Sequence, residues 1–204
     1  MTQARYLSNH YHSTAFLPED LNSRILSSML EDLAGFRDAK IFSRDAGKGV
    51  VDKSARVAKT NRLRPEILAD FKAAITKALP SIAPAVGLQM RDDFTFEISA
   101  AMHQDGGFFG RHIDTRTGTS EDTVRYMSAV YYLSRTPQQF SGGQFRLHAL
   151  VGGAHKDFEA ANNTLVVFPS FAPHEVLPIS VPSGLPEDGR FSINCWVRIP
   201  HPNA

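Results

Sequence analysis

The chain has 204 residues and carries 22 lysines and arginines against 21 aspartates and glutamates, so its formal net charge is only +1. This balance provides no overall field that would attract nucleic acid or an anionic membrane surface. The single cysteine, Cys195, excludes a disulfide framework and is interpreted as a small buried hydrophobic residue. Residues 1–13 do not resemble a signal peptide and no apolar run reaches membrane-spanning length, so we expect one cytoplasmic domain.

Two amphipathic helices are predicted in the first 90 residues. Apolar residues recur at helical spacing over Leu17–Leu33, and again over Arg64–Leu79, where Pro65 is in a favourable first-turn position. Stripes of this kind normally face a core. Residues 1–90 are therefore expected to form helical support and a segment at the mouth of the site, and residues 91–200 to form the core of a single domain.

The stretch between the two helices, Phe36–Arg64, is rich in positive charge. Its basic residues are Arg37, Lys40, Arg44, Lys48, Lys53, Arg56, Lys59, Arg62 and Arg64. A solvated hairpin or loop is the simpler interpretation. The alternative is a mobile lip over an active-site mouth, which would favour an acidic or carboxylate-bearing substrate.

From Arg91 onward, short apolar strands alternate with turns rich in glycine, proline and asparagine, which is typical of a jelly-roll barrel. In this region His112 and Asp114 lie two residues apart. Side chains at that spacing on an extended strand point to the same face, so both can reach one metal ion. His174 follows an apolar strand further along and would complete a two-histidine, one-carboxylate facial triad, the ligand set of non-haem iron(II) oxygenases.

The segment that begins at Arg190 alternates strictly between two faces. One face carries Arg190, Ser192, Asn194 and Trp196, and the other carries only apolar side chains. An inward arginine on a strand buried on both faces suits a cavity that holds a charged ligand, because a buried guanidinium needs an anionic partner. A dicarboxylate would supply that partner through a bidentate contact.

About half of the chain, from Glu97 to Arg198, resembles the 2-oxoglutarate- and iron(II)-dependent dioxygenases of the prolyl 4-hydroxylase-like type. The matching elements follow the family's order: Gly106-Gly107, Phe109, His112, Asp114, the strand Arg125–Leu133 with its tyrosine pair, Gly142-Gly143, His174 and Arg190. The resemblance implies a mainly β fold with flanking helices, in which a double-stranded β-helix of the jelly-roll or cupin-like type forms a barrel braced by the N-terminal helices. It also implies Fe(II), 2-oxoglutarate and O2, with ascorbate in a supporting role.

The resemblance also implies roles for individual residues. The metal ligands and catalytic residues would be His112, Asp114 and His174. The far carboxylate of 2-oxoglutarate would be bound by Arg190, assisted by Tyr132 and by Ser192 or Asn194.

Two positions depart from the family pattern. The place of a tyrosine often found about ten residues before the first metal histidine is taken by Met102, and the aromatic residue three before that histidine is Phe109, which has no hydroxyl group. Tyr132 would then carry more of the carboxylate binding. Residues 182–189 lengthen the interval between His174 and Arg190 and are interpreted as an exposed, turn-rich insertion.

The remaining polar candidates are expected to lie outside the metal site. His103 and His148 are interpreted as satisfied or exposed polar groups, with contact to the substrate as the alternative for His148. Asp105 falls in a glycine turn and Glu175 points to the strand face opposite His174, so neither is expected to bind the metal.

The resemblance implies hydroxylation of an unactivated C–H bond with release of succinate and CO2. Asp114 argues against a halogenating relative, because that chemistry needs the carboxylate's coordination place for a halide. A small-molecule substrate, amino-acid-like or carrier-bound, is favoured by the compact chain without an accessory peptide-binding domain. The alternatives are a protein or peptide prolyl hydroxylase and a non-enzymatic metal-binding sensor, the latter weakened because Arg190 and Tyr132 accompany all three ligands.

Overall fold

The computed structural model describes residues 7–43, 47–115 and 122–201. The helices are Glu19–Glu31 (α1) and Pro65–Ala85 (α2), with 3₁₀ turns at Leu33–Gly35 and Pro186–Asp188. The strands are Tyr11–Thr14 (β1), Arg37–Asp38 (β2), Ile41–Ser43 (β3), Lys48–Val50 (β4), Arg56–Val57 (β5), Lys59–Asn61 (β6), Thr95–His103 (β7), Phe108–His112 (β8), Thr123–Leu133 (β9), Ser141–Gly142 (β10), Phe145–His148 (β11), His155–Phe158 (β12), Thr164–Pro169 (β13), His174–Val176 (β14), Ile179–Ser180 (β15) and Arg190–Pro200 (β16). In these ranges no helix has both the length and the apolar character needed to cross a membrane.

Both predicted helices are present, and the second is longer than predicted. Helix α2 begins at Pro65 but continues past Leu79 to Ala85, with Pro80 and Pro84 inside it. An interior proline removes one backbone hydrogen bond and costs about 3 kcal/mol. Ile82 and Ala83 in the added turns are completely buried, and burial of the isoleucine side chain contributes about 2 kcal/mol, which offsets part of the cost of the two prolines.

The larger sheet of the described chain contains seven antiparallel strands in the order β1-β13-β9-β16-β7-β6-β2. The two helices cover one of its faces. Phe71 and Ile75 of α2 belong to the same buried cluster as Phe191, Ile193 and Cys195 of β16. This is the apolar face predicted for the strand after Arg190, and Cys195 is fully buried, as expected.

The opposite face of the large sheet lies against a five-stranded antiparallel sheet with the order β12-β11-β14-β8-β5. Val166 and Phe168 of the large sheet share a second buried cluster with Phe145 and Leu147 of the small sheet. The mainly β fold with flanking helices is therefore confirmed. The polar face of β16 points into the space between the sheets.

The basic stretch between the helices is not a simple loop. Its strands β5 and β6 extend the edges of the small and the large sheet, and β3 and β4 form a separate two-stranded hairpin. Arg44 lies outside the described residues. The hairpin agrees with one of the two predicted forms. Strands two or three residues long are too short to show a period in sequence, so the edge strands β5 and β6 were not predicted.

The insertion before Arg190 is exposed only in its first half. Residues 182–185 are exposed, but Asp188 is buried. Its carboxylate accepts hydrogen bonds from the guanidinium of Arg135 at 2.8 Å and from the hydroxyl of Ser183 at 2.7 Å. These two contacts tie the insertion down immediately before β16.

Candidate active site

The three predicted metal ligands come together between the sheets. His112 ends β8 and His174 begins β14, and the two residues are direct partners in the antiparallel register. Asp114 follows two residues after His112. One potential ligand atom from each of the three side chains lies within 4.8 Å of the other two, which makes the group able to bind a metal ion.

Backbone carbonyls set the tautomer of both histidines. Nδ1 of His112 lies 2.8 Å from the Gly110 oxygen, and Nδ1 of His174 lies 2.9 Å from the Ala172 oxygen. A carbonyl only accepts, so each Nδ1 carries the proton and each Nε2 keeps its lone pair. The two Nε2 atoms lie 3.8 Å and 3.6 Å from the two oxygens of Asp114, so the lone pairs needed for coordination lie beside the carboxylate.

Asp114 is held by a serine pair that sequence reasoning missed. The hydroxyl of Ser128 donates to Oδ2 of Asp114 at 2.7 Å and lies 2.8 Å from the hydroxyl of Ser170. The backbone N–H of Asp114 donates to the Ser170 oxygen at 2.9 Å. Such partners of a ligand fix its orientation, and no spacing rule in the sequence connects the three residues.

Electrostatics favour the protonation states that metal binding requires. Burial and the nearby His174 ring lower the pKa of His112 to about 3, despite the opposing effect of Asp114. Burial alone would raise the pKa of Asp114, but both imidazoles, Arg125 and the Ser128 hydroxyl outweigh it and lower that pKa. At neutral pH the site therefore offers a neutral His112 and a carboxylate.

Next to this group lies a fully buried arginine, Arg190. Its Nη1 donates to the Gly143 oxygen at 2.7 Å, and its Nη2 lies 3.0 Å from Nδ1 of His103. Gly142 and Gly143 both adopt positive φ, and a Cβ on Gly142 would lie 2.4 Å from the Pro178 oxygen. The turn therefore requires glycine, and it aims the Gly143 carbonyl at Arg190.

Around Arg190, three buried polar groups lack a hydrogen-bond partner in the part of the chain that the structure describes. They are Nε of Arg190, the hydroxyl of Tyr132 and Nε2 of His103. Arginine only donates, so Nδ1 of His103 accepts and its Nε2 carries a proton. All three groups can therefore donate, and among the described residues Arg190 forms no ion pair. Buried donors without an acceptor fit an anion, and the far carboxylate of 2-oxoglutarate meets that requirement.

His103 was expected to be satisfied or exposed, and the structure corrects this. Its register partner on β16 is Arg190, so the two side chains share one face of the large sheet. Met102, which takes the tyrosine position by counting from His112, packs instead in the cluster beneath the helices. The polar side chain of β7 that lies beside Arg190 is therefore His103, one residue later, because side chains alternate along β7.

One cleft of about 490 Å³, including its open mouth, contains most of the predicted site. Its lining includes the three predicted metal ligands, Arg190, Tyr132 and Asn194. Ser192 is buried next to Tyr132 in the register but is not part of this lining, and its hydroxyl has no partner.

The other polar residues considered from the sequence, among them His148, Glu175 and Asp105, do not join the metal group. Nε2 of His148 lies 2.8 Å from a carboxylate oxygen of Glu175, which satisfies the imidazole as expected. Asp105 accepts a hydrogen bond from the backbone N–H of Val181 at 2.8 Å.

Sequence reasoning missed Arg56 as a residue of the cleft. Arg56 lines the wall of the cleft beside Phe109, and its strand was too short to predict.

Comparison with known proteins agrees with this geometry. A family model described as the 2OG-Fe(II) oxygenase superfamily matches residues 98–198. An uncharacterised PKHD-type hydroxylase of Synechocystis sp. is 25% identical over 191 residues, which cover 90% of this chain and 61% of that relative. The chain therefore spans less than two thirds of the length of this curated relative.

Solved structures show the same fold. A prolyl-4-hydroxylase of Pseudomonas putida superimposes with a TM-score of 0.68 at 26% identity, covering 95% of this chain and 94% of that one. A Trichoplax adhaerens prolyl hydroxylase, crystallised with a peptide of a hypoxia inducible factor, gives a TM-score of 0.71 at 19% identity, covering 93% and 83%. These neighbours have the predicted double-stranded β-helix fold. The family match, the shared fold and the facial ligand group together show that the chain belongs to the 2OG-Fe(II) oxygenase superfamily.

Proposed function

We propose that this chain is a 2-oxoglutarate- and Fe(II)-dependent dioxygenase that hydroxylates an unactivated C–H bond of a small molecule, amino-acid-like or carrier-bound. One observation carries the proposal: a facial His-Asp-His group and a set of buried donors without an acceptor share a single cleft. A metal-storage or purely structural metal site has no need of the second feature.

The three proposed metal ligands have defined tasks under this proposal. When bound, iron(II) with 2-oxoglutarate and O2 supplies the oxidative decarboxylation that yields succinate and CO2 and hydroxylates the substrate. His112 and His174 would bind the ion through Nε2, and Asp114 through its carboxylate. A facial set of three protein ligands leaves coordination positions for the cosubstrate.

The donors around Arg190 would hold the cosubstrate in one orientation. Arg190 supplies a charge, and the hydroxyl of Tyr132 and Nε2 of His103 add hydrogen bonds to the same carboxylate. Burial raises the pKa of Tyr132 to about 12, with nearby Arg190 opposing the shift, so the hydroxyl keeps its proton and can donate. We propose Asn194 as a further contact, because it also lines the cleft.

A prolyl residue of a peptide or protein is the second candidate substrate. The observation that favours it is the likeness to the Pseudomonas putida prolyl-4-hydroxylase, at 26% identity over nearly the whole length of both chains. The two candidates share the metal and cosubstrate sites and differ only in what enters the mouth of the cleft.

Removal of one ligand tests the metal assignment. His174→Ala should abolish iron retention and turnover, since two remaining ligands no longer form a facial triad. Iron content per chain and succinate release are measured on the same preparations. His148→Ala is the matched control, because His148 pairs with Glu175 outside the metal group. Iron stoichiometry that stays at the wild-type level in His174→Ala would refute the assignment.

Succinate release with two panels decides between the substrate classes. The wild-type protein is incubated with a metabolite panel and, separately, with proline-containing peptides. Stimulation by a metabolite supports the small-molecule hydroxylase, whereas stimulation by peptides alone supports the prolyl candidate. Absence of any 2-oxoglutarate turnover in the iron-loaded protein would contradict the proposed function itself.

A further inference from the structure

Arg56 is a cation inside the cleft that the metal and cosubstrate assignments leave without a task. It begins β5, the edge strand of the small sheet, where it is the register partner of Phe109 on β8. The backbone N–H of Arg56 donates to the Asp52 oxygen at 2.9 Å. The side chain of Asp52 in turn accepts hydrogen bonds from the N–H and the hydroxyl of Ser54. These contacts fix where the arginine enters the cleft.

The guanidinium of Arg56 lies close to the metal group. Its central carbon lies 4.6 Å from the centroid of the Phe109 ring, and that ring stacks on the imidazole of His112 with centroids 3.6 Å apart. Phe109 is therefore the common neighbour of the cation and a predicted metal ligand. A substrate group held by Arg56 would sit beside the metal group, where the reaction takes place.

Arg56 stays charged without a counter-ion. Burial lowers its pKa to about 10, Asp114 opposes the shift, and Arg190 and Arg125 add to it, so the group is still protonated at neutral pH. Its Nε is buried and has no hydrogen-bond partner. In residues 7–43, 47–115 and 122–201, no carboxylate forms an ion pair with it. A charged, partly desolvated donor of this kind requires an anion.

The charges of the cleft show that neither metal nor cosubstrate provides this anion. Asp114 is the one carboxylate in the described lining of the cleft. Iron(II) brings two positive charges and 2-oxoglutarate two negative ones, while Asp114 and Arg190 contribute one of each sign. These four cancel. Arg125 is not part of the lining, and it is paired both with Glu97, which it shares with Arg198, and with Asp114 at 3.6 Å. Among the described residues that line the cleft, Arg56 is then the cation without an opposing charge.

We propose that Arg56 binds a carboxylate of the primary substrate, so that the substrate class is a carboxylic acid whose reactive C–H lies close to its carboxylate. This inference rests on the proposed function. The inference gives Arg56 a role that the other basic residues of Phe36–Arg64 do not share. Lys53, for example, is 70% exposed and lies 3.4 Å from Asp38. A planar guanidinium suits a carboxylate because it can donate two parallel hydrogen bonds.

The test compares each carboxylic acid with an analogue in which an uncharged amide replaces the carboxylate. The probes are the free L-amino acids with their primary amides, and N-acetylated, C-amidated peptides with aspartate or asparagine beside a proline. The variants are Arg56→Gln, Arg56→Lys to keep the charge, and Lys53→Gln as the control. Probe-stimulated succinate release is measured with iron, and binding of the same probes is measured by calorimetry under nitrogen, where no turnover occurs.

The wild-type protein should prefer the acid of a pair to its amide. Truncating one partner of a buried, hydrogen-bonded charge pair costs affinity, so Arg56→Gln should lower kcat/KM for the acid about 30-fold or more and nearly erase the preference over the amide. Arg56→Lys should recover part of the preference, and Lys53→Gln should change it less than about 3-fold. Preference for aspartyl over asparaginyl peptides with the same dependence on Arg56 would support the inference with a peptide-borne carboxylate.

Two results would overturn the inference. One is an acid-to-amide preference that is equal in the wild-type protein and in Arg56→Gln, or absent from both. The other is a rise in the Michaelis constant for 2-oxoglutarate in Arg56→Gln without a change in that preference, which would make Arg56 part of the cosubstrate site. Both outcomes presuppose turnover of 2-oxoglutarate by the wild-type protein. They are therefore distinct from failure of the proposed function, in which no such turnover occurs.

Discussion

The replacement Arg190→Lys should weaken 2-oxoglutarate binding while leaving the metal in place. Lysine keeps the positive charge but loses the planar fork. In the structure the guanidinium of Arg190 already donates to the Gly143 oxygen at 2.7 Å and to Nδ1 of His103 at 3.0 Å. It still has N–H groups left for a ligand. A lysine ammonium has three donors, so it cannot satisfy both neighbours and a two-oxygen carboxylate contact. Loss of one hydrogen bond to a charged group costs about 1.5–3 kcal/mol, which corresponds to a rise of about 10- to 150-fold in the Michaelis constant.

The assay for Arg190→Lys is succinate release as a function of 2-oxoglutarate concentration, with iron content measured on the same protein. Iron content should stay at the wild-type level, because Arg190 is not among the metal ligands. An unchanged Michaelis constant for 2-oxoglutarate would refute the reasoning and would show that another cation binds its far carboxylate. Arg56 would then be the candidate, since it also lines the cleft, whereas Arg146 is paired with Asp157 at 2.7 Å.

Two further predictions concern metal affinity and stability. Ser128→Ala removes the 2.7 Å hydrogen bond to Asp114, so the dissociation constant of the metal should rise about 10- to 100-fold. Competition with a chelator measures this constant. An unchanged constant would exclude Ser128 as a determinant of ligand orientation. Asn163 has a positive φ of 58° and bonds both backbone groups of Leu17 and the Tyr131 hydroxyl. Asn163→Ala should therefore lower the free energy of unfolding in urea by about 2–4 kcal/mol. Asn163→Gly should lower it less, because glycine tolerates that φ, and equal losses would show that backbone strain is not involved.

The metal group could be predicted from sequence because it depends on a local rule. Side chains two apart on a strand share a face, which joins His112 to Asp114. The position of His174 after an apolar strand added the third ligand, and the structure pairs it directly with His112. The same alternation placed Arg190 on the polar face of β16. Each of these inferences needed only the period of one strand and the order of the family's motifs.

The contacts around these residues could not be predicted in the same way, because they depend on register between distant strands. Counting back ten residues from His112 gave Met102, but the pairing of β7 with β16 places His103 opposite Arg190. A shift of one residue moves a side chain to the other face of a sheet. Ser128 and Ser170 are 42 residues apart and meet only because β9 pairs with β13, whose C-terminal end leads into Ser170.

Arg56 shows how the two kinds of information combine. The sequence identified a basic stretch and its preference for an acidic substrate. The total charge of its nine basic residues could not indicate which of them contacts the substrate. The structure separates them by environment, since Lys53 is solvated and has an aspartate partner, while Arg56 lies in the cleft and pairs with no carboxylate of the described residues. An exposed pair contributes little to affinity because water and salt screen it. A desolvated arginine beside the metal group interacts strongly with a ligand carboxylate, so specificity is expected to depend on this one residue and not on the net charge of the segment.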